Sequence, residues 1–422
     1  MEEVSHPLSY KNKKLYFDSV DISEIIKTHQ TPFYLYSEKT LSQNFNRFQT
    51  AANEAGLNDH LICFALKSNS NKEILKTLAA QGSGADIVSG NELKRAIEAG
   101  IDPQKIVFSG VGKTSEEIEL ALNSSLKGVY SFNVESLEEL ELINELAHQK
   151  GKRARICFRL NPKVDAKTHK FISTGNKTHK FGLLHKDIIA AIKDPKYWTS
   201  STLVGISIHI GSQLTDMKAT KKALQALGET AKQCGVELEF LDVGGGLGIN
   251  YDRKKDEPNL DKYMQIIKQS LSKYFEKLPR IVFEPGRIIA ARSGCFIMKV
   301  IRRKISEGHH FLIVDGGMND FVRPSLYNAY HEIYSNSEIE KDTRVIKTDI
   351  VGPICETADF FAYERKLPEL VAGDFIALAD AGAYGQTMSS NYNLRERPSE
   401  IYIKNEREVE VVTAREKYEY LR

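Results

Sequence analysis

No block of like charge, no long apolar run and no paired-cysteine motif occurs in this sequence of 422 residues, and each absence removes a class of protein. Lys and Arg number 58 and Asp and Glu 56, a net charge of +2 without the basic stripe or tail of a nucleic-acid binder. A small metabolite is the expected ligand. No uncharged apolar stretch approaches the length of a membrane span, and the first residues are acidic and polar with no signal-like apolar region. A soluble, cytoplasmic protein with no membrane partner is therefore expected. The five cysteines (Cys63, Cys157, Cys234, Cys295 and Cys355) are odd in number and form no C-x-x-C, which indicates neither a disulfide framework nor a zinc cage. Four of them sit in or beside apolar or helical stretches and read as small core residues. Cys355, between Gly352-Pro353 and Glu356, reads as exposed and functional. With only 12 Pro and 28 Gly against 41% hydrophobic residues, the chain is neither low-complexity nor fibrous. Its length predicts more than one domain.

What the sequence does contain is one unit used repeatedly. Short β-branched or aromatic runs occur at Leu61–Leu66, Ala85–Val88, Ile106–Phe108, Gly128–Phe132, Arg155–Leu160, Val204–Ile210, Phe240–Val243 and Arg280–Phe283. Each ends in polar or glycine residues and leads into helical periodicity, as in Asn71–Gln81, Ser115–Asn123 and Ser136–Lys150. The spacing averages about 31 residues, the size of one βαβ unit. Eight such units predict a (β/α)8 TIM-like barrel over 31–290, with all eight strand ends around one mouth. In order those ends carry Lys67, Ser89, Ser109, Asn133, Arg159 with Asn161, His209, Gly244–Gly246 and Glu284. After Arg292 the pattern alternates as strands do, so 291–422, joined by a hairpin within 1–30, is expected to form a mainly β domain.

Two nucleotide motifs fail on inspection. Ser109-Gly110-Val111-Gly112-Lys113-Thr114 ends like a phosphate loop, but Val107 stands where its first glycine belongs. Gly244-Gly245-Gly246-Leu247-Gly248 has Ile249 in place of the third dinucleotide-fingerprint glycine. The latter can still hold a phosphate through its backbone, and it follows the seventh strand. Glu284-Pro285-Gly286-Arg287 follows the eighth, and barrel enzymes often bind phosphate with these two loops. Lys67 ends an apolar strand, where a lysine must be paired, pKa-shifted or covalently engaged; the bland alternative is a snorkelling side chain. Glu284 is a carboxylate in a similar place, with a salt bridge to Arg287 or Lys67 as its bland alternative. An amine, a phosphate cradle and a carboxylate at one mouth are what pyridoxal 5'-phosphate requires. His209 ends the sixth strand, no histidine spacing indicates a metal, and His169, His179 and His185 fall in a polar loop read as a lid or solvated surface.

Taken in order, Phe64-Ala65-Leu66-Lys67, Asn161-Pro162, Lys180-Phe181-Gly182, His209 to Gln213, Gly244 to Gly248, Glu284 to Arg287, Arg323 to Tyr327, Cys355 to Asp359 and Asp380 to Tyr384 resemble the diaminopimelate decarboxylases. These are pyridoxal-phosphate enzymes of the alanine-racemase-like fold (fold type III). The resemblance covers nearly the whole chain. It implies that Lys67 is the Schiff-base lysine, that His209 stacks on the cofactor ring and that Glu284 pairs with its pyridine nitrogen. It further implies that Asp86, Ser212, Gly245, Gly246, Pro285, Gly286, Arg287 and Tyr384 complete the cofactor site. Arg287, Arg323, Tyr327, Glu356 and Tyr384 would bind substrate, and Cys355 would donate the proton that replaces carbon dioxide. In such enzymes Cys355 and Glu356 reach the site from the partner subunit, which implies a homodimer with shared active sites.

The implied reaction is decarboxylation of meso-2,6-diaminopimelate to L-lysine, the last step of lysine biosynthesis. Ornithine- or arginine-type decarboxylases are the nearest alternative, but the ornithine enzymes carry Asp where this chain has Glu356. Two arginines would also be costly beside a purely amine distal end. A catalytically dead cofactor-binding homologue is the other alternative, against which Lys67, Glu284 and Cys355 all stand.

Overall fold

The computed structural model describes residues 6–164, 180–214, 217–252 and 258–421; Asp165, His169 and His179 lie outside the described residues. The chain divides into two compact units. One comprises residues up to Asn44, a short stretch beginning at Asn250, and everything from Ile288 on; the other holds the remainder, Phe45 to Arg287.

In the second unit eight parallel strands close into a barrel. They are His60–Ala65, Gly84–Ile87, Ile106–Phe108, Ser131–Val134, Ala154–Leu160, Ser201–Ile208, Phe240–Asp242 and Arg280–Phe283, in chain order around the circle. Closure is the pairing of the eighth with the first, with Val282 opposite Leu61 and Phe283 opposite Ile62. The intervening helices start where the sequence supplies an oxygen for their unpaired first-turn N–H groups. Asn71, Ser89, Thr114, Ser136 and Asn259 each cap one, and Thr114 with Glu117 forms a reciprocal capping box. His185, expected in a loop, is the first residue of the helix His185–Lys193. The fourth strand starts at Ser131 rather than Gly128 because Gly128 turns the chain with φ at 73° and Tyr130 N–H reaches the carbonyls of Pro103 and Ile106. The lower barrel interior is filled by Leu61, Cys63, Val107, Tyr130, Cys157, Val204, Phe240 and Val282, all buried.

The first unit is built on a nine-stranded mixed sheet. Its long strand Gly294–Ser306 pairs with Phe33–Ser37, His309–Val314 and Phe375–Leu378. A separate three-stranded sheet, Leu8–Lys11, Lys14–Phe17 and Val20–Asp21, supplies Leu8, Leu15 and Phe17 to the same apolar core as Phe33, Leu35, Ile297, Ala377 and Ile401. The sequence places the start of the barrel at 31, yet Phe33–Ser37 lies in this sheet, antiparallel to Gly294–Ser306 and parallel to Ser399–Lys404. All five residues of that strand are buried, so it lacks the one-sided alternation that would have distinguished it from a barrel strand. Among the described residues, no helix is long and apolar enough to cross a membrane.

Candidate active site

Side chains of a strand alternate between its two faces, so a residue two beyond an interior one also points inward. That rule lifts the chemistry to the barrel mouth. Val107 leads to Ser109, Cys157 to Arg159, Phe240 to Asp242 and Val282 to Glu284, each pair starting in the apolar interior layer. In the sixth strand a register shift between Leu203 and Gly205 resets the phase. An apolar floor thus carries a polar upper layer, and a cavity of about 440 Å³ opens above it, lined by Lys67, Ser109, Asn133, Arg159, Ser207, His209 and Glu284 among others. The volume lies within the range of about 300–1,000 Å³ usual for small-molecule sites.

Glu284 is the best-supported group in this layer. Its Oε1 accepts from Asn133 Nδ2 at 3.1 Å and Ser109 Oγ at 3.3 Å, and its Oε2 lies 3.6 Å from His209 Nδ1. Burial alone would push this carboxyl up, but the nearby His209 and the charge of Lys67 outweigh it and hold the group at about 2. Beside it Asp242 is fully buried, accepting from Gly244 N–H at 2.8 Å and Asn133 Nδ2 at 3.2 Å. Burial, then the charge of Glu284, push Asp242 well above the usual carboxylate range. His209 is pushed down by burial against the pull of Glu284. In place of the salt bridge to Arg287 or Lys67 that was the bland alternative for Glu284, the carboxylate is met by Asn133, Ser109 and His209. Sequence reasoning marked Ser109 and Asn133 as strand ends without giving them a role and passed over Asp242, although its place at the end of Phe240–Asp242 was a usable signal.

Lys67 lies one turn beyond its strand, in the 3-10 helix Leu66–Ser68, and its Nζ is 2.5 Å from Asp86 Oδ2. Burial, then the charge of Glu284, push Asp86 up to about 7 against the opposing pull of Lys67. The lysine is brought alongside Glu284 by the backbone: Ala65 N–H donates to Pro285 O at 3.0 Å. Gly286 is needed where this latch closes, since a Cβ there would sit 2.9 Å from Ser68 Cβ.

The two expected phosphate loops meet. Gly246, with φ at 93°, would place a Cβ 2.1 Å from Gly211 O, and a Cβ on Gly245 would lie 1.9 Å from Glu284 O. The glycines therefore let the loops after the sixth, seventh and eighth strands pack backbone to backbone. Arg287 Nη2 donates to Ser212 Oγ at 2.9 Å, which ties two of the expected phosphate ligands together.

The other expected residues belong to the β unit. Arg323 is buried at the start of the helix Arg323–Tyr327, Tyr327 is half-buried, and Tyr384 is half-buried with φ at 57°. Cys355 is exposed, as its turn context predicts, and so is Glu356. Cys355 N–H donates to Asn393 Oδ1 at 3.1 Å, and Glu356 Oε2 accepts from Tyr392 Oη at 2.8 Å.

A family model described as the pyridoxal binding domain of pyridoxal-dependent decarboxylases matches residues 39–291. The diaminopimelate decarboxylase of Aquifex aeolicus is 41% identical over 427 residues, covering 100% of this chain and 98% of its own. The chain belongs to the diaminopimelate decarboxylase family. Among solved structures, the Helicobacter pylori diaminopimelate decarboxylase complexed with L-lysine matches with a TM-score of 0.88 and 42% identity, covering 95% of this chain and 98% of that one. The M. jannaschii diaminopimelate decarboxylase, also with L-lysine, gives a TM-score of 0.91 at 36% identity, covering 98% and 96%.

As a diaminopimelate decarboxylase family member, the protein is a pyridoxal-phosphate-dependent amino acid decarboxylase. The residues at the barrel mouth fit that cofactor: a lysine amine and an ionised carboxylate line one cavity, and a serine and an arginine meet beside side-chain-free glycine loops. When bound, pyridoxal phosphate supplies a sink for the electrons released as carbon dioxide departs.

Proposed function

We propose that this protein converts meso-2,6-diaminopimelate to L-lysine and carbon dioxide in the cytoplasm, as a homodimer with shared sites. The observation that carries the reading is the full-length likeness to diaminopimelate decarboxylases, which extends through both units and includes structures holding L-lysine. In this reading Lys67 holds the cofactor aldehyde, and Glu284, already ionised and accepting from Asn133 and Ser109, accepts from the ring nitrogen. His209 covers the ring face. Ser212, Gly245, Gly246, Pro285, Gly286, Arg287 and Tyr384 hold the phosphate end, with Asp86 beside Lys67. Arg323, Tyr327 and Arg287 take the carboxylate of the substrate's unreacting end, and Glu356 takes its ammonium. Cys355, exposed on the β unit, delivers a proton to the site of a second copy.

Competition between substrates tests the reading. A site built for a carboxylate leaves buried guanidinium groups unpaired with ornithine, and such polar mismatch is worth about 10⁴ or more in kcat/KM. Comparable kcat/KM for ornithine and diaminopimelate would overturn the substrate assignment. Shared sites have their own test. Mixing inactive Lys67→Ala and Cys355→Ala proteins should restore about a quarter of the activity, because half of randomly paired dimers are mixed and each mixed dimer has one intact site. No recovery after subunit exchange would place Cys355 in its own chain's site.

A further inference from the structure

Arg323 is held by a histidine to which the reaction scheme gives no part. His331 is fully buried, and both of its ring nitrogens are engaged: Nδ1 lies 2.8 Å from Ala379 O and Nε2 lies 2.7 Å from Arg323 Nη1. A carbonyl oxygen can only accept and a guanidinium can only donate. The imidazole proton must therefore sit on Nδ1, leaving the Nε2 lone pair to receive Arg323. The ring has no freedom to exchange these roles, because Tyr251 packs 4.7 Å from its centroid at 58° and Phe321 lies 4.8 Å away edge-on at 84°. Tyr251 also lies beneath the guanidinium, 4.6 Å from the Arg323 Cζ. The backbone is fixed as well: His331 O accepts from Arg365 Nη2 at 3.0 Å, and Ala379 N–H donates to Glu332 O at 2.9 Å.

We propose that His331 is a positioning residue for substrate recognition: it turns the Arg323 guanidinium to meet the carboxylate at the substrate's unreacting end, and it locks that setting to the Ala379–Tyr384 segment. The inference rests on the proposed role of Arg323. A guanidinium presents its donors in one rigid plane, so the direction of one N–H sets the direction of the others. Fixing Nη1 on a neutral imidazole selects the plane without spending a carboxylate, which would compete with the substrate for the same fork. Ala379 leads directly into Asp380 and Tyr384, both with left-handed backbone at φ of 57°, so the histidine joins the substrate arginine to the segment that carries the expected cofactor tyrosine.

Two near-isosteric variants separate the two bonds. His331→Asn keeps a donor near Nδ1 for Ala379 O and loses the acceptor for Arg323, whereas His331→Gln keeps an acceptor near Nε2. In the purified holoenzyme, His331→Asn should raise KM for meso-diaminopimelate and weaken inhibition by L-lysine by about 10–100-fold, the usual worth of a hydrogen bond to a charged group. Inhibition by 1,5-diaminopentane, which lacks the carboxylate, should not change, nor should kcat or the cofactor absorbance band. His331→Gln should stay within about threefold of the unmodified enzyme because the Arg323 bond survives. In an Arg323→Ala background, His331→Asn should add less than about twofold, the mark of two residues acting as one. Equal effects from Asn and Gln, a loss of kcat or cofactor in place of KM, or an undiminished effect in the Arg323→Ala background would each overturn the proposal. An unchanged KM in Arg323→Ala alone would overturn the carboxylate role of Arg323 itself, and the positioning role with it.

Discussion

Lys113→Met is the sharpest probe of how the mouth of the barrel is held together. This lysine lies in the stretch that imitates a phosphate loop, yet its side chain is wholly shielded from solvent. Its three ammonium hydrogens have three acceptors: Gly110 O at 2.8 Å, Asn133 O at 2.9 Å and Glu139 Oε1 at 2.6 Å. The other oxygen of Glu139 accepts from Glu135 N–H at 2.9 Å. Methionine keeps the length and apolar volume of the stem and removes only the charge and the donors. Breaking a buried pair in this way costs about 3–5 kcal/mol, since a carboxylate is left without its cation and two carbonyls lose a donor. Part of the loss depends on pH. Burial already pushes Glu139 up against the charge of Lys113; without that charge the carboxyl rises further. A carboxyl whose folded value lies above its unfolded one stabilises the fold at low pH and loses that contribution as pH rises. The variant should therefore fall short of the unmodified protein by more at pH 8 than at pH 5. Urea unfolding monitored by far-UV circular dichroism at both pH values measures this, with the barrel transition read separately because the two units need not unfold together. Adding Glu139→Gln should recover part of the loss, as the abandoned charge disappears. A Lys113→Met loss under about 1 kcal/mol, or two single losses that simply add in the double variant, would refute the reasoning.

Three further outcomes are expected. Lys67→Ala should abolish covalent attachment of the cofactor; borohydride reduction and peptide mapping of the unmodified protein should label Lys67, and a label on Lys113 or Lys180 would remove it from that role. Cys355→Ala should lower kcat by about 10²–10⁴, the range for a positioned proton donor, with the cofactor spectrum retained; a wild-type rate would move the donor elsewhere. Asp86→Asn should change the pH dependence of stability in the cofactor-free protein. Asp86 is pushed up to about 7, above its unfolded value, so its contribution fades as pH rises from about 4 to 7. Over that window the variant should gain on the unmodified protein, and parallel stability curves would show that the carboxyl is not perturbed in this sense.

Much of the site was legible because it depends on local periodicity. The alternation of each strand and the capping oxygen before each helix are properties of a few neighbouring residues, and they placed Lys67, His209 and Glu284 at strand ends. The partners of those residues were not legible in the same way. Asn133 joins Asp242 to Glu284, and Lys113 reaches Glu139, by contacts across separate barrel units. Nothing in the local pattern distinguishes an asparagine that orders two carboxyls from one that ends a strand. His331 was passed over for a similar reason: its neighbour in sequence, Tyr330, gives no sign that the ring is pinned between Ala379 O and Arg323.

The sequence by itself determined the eight βα repeats, the inward phase of the polar residues that follow the apolar floor, and the motifs that carry the family likeness. Tertiary structure alone decided which unit receives Phe33–Ser37, because a strand buried on both faces fits a barrel and a covered sheet equally well. It also decided which way the buried carboxyls are shifted. The charge state of Glu284 and Asp242 depends on burial and on neighbours such as His209 and Lys67, and those neighbours meet only once the eighth strand has paired with the first. Periodicity is a property of short stretches of chain, whereas electrostatic coupling falls with distance through space, and barrel closure is the step that turns separation along the chain into a few ångströms.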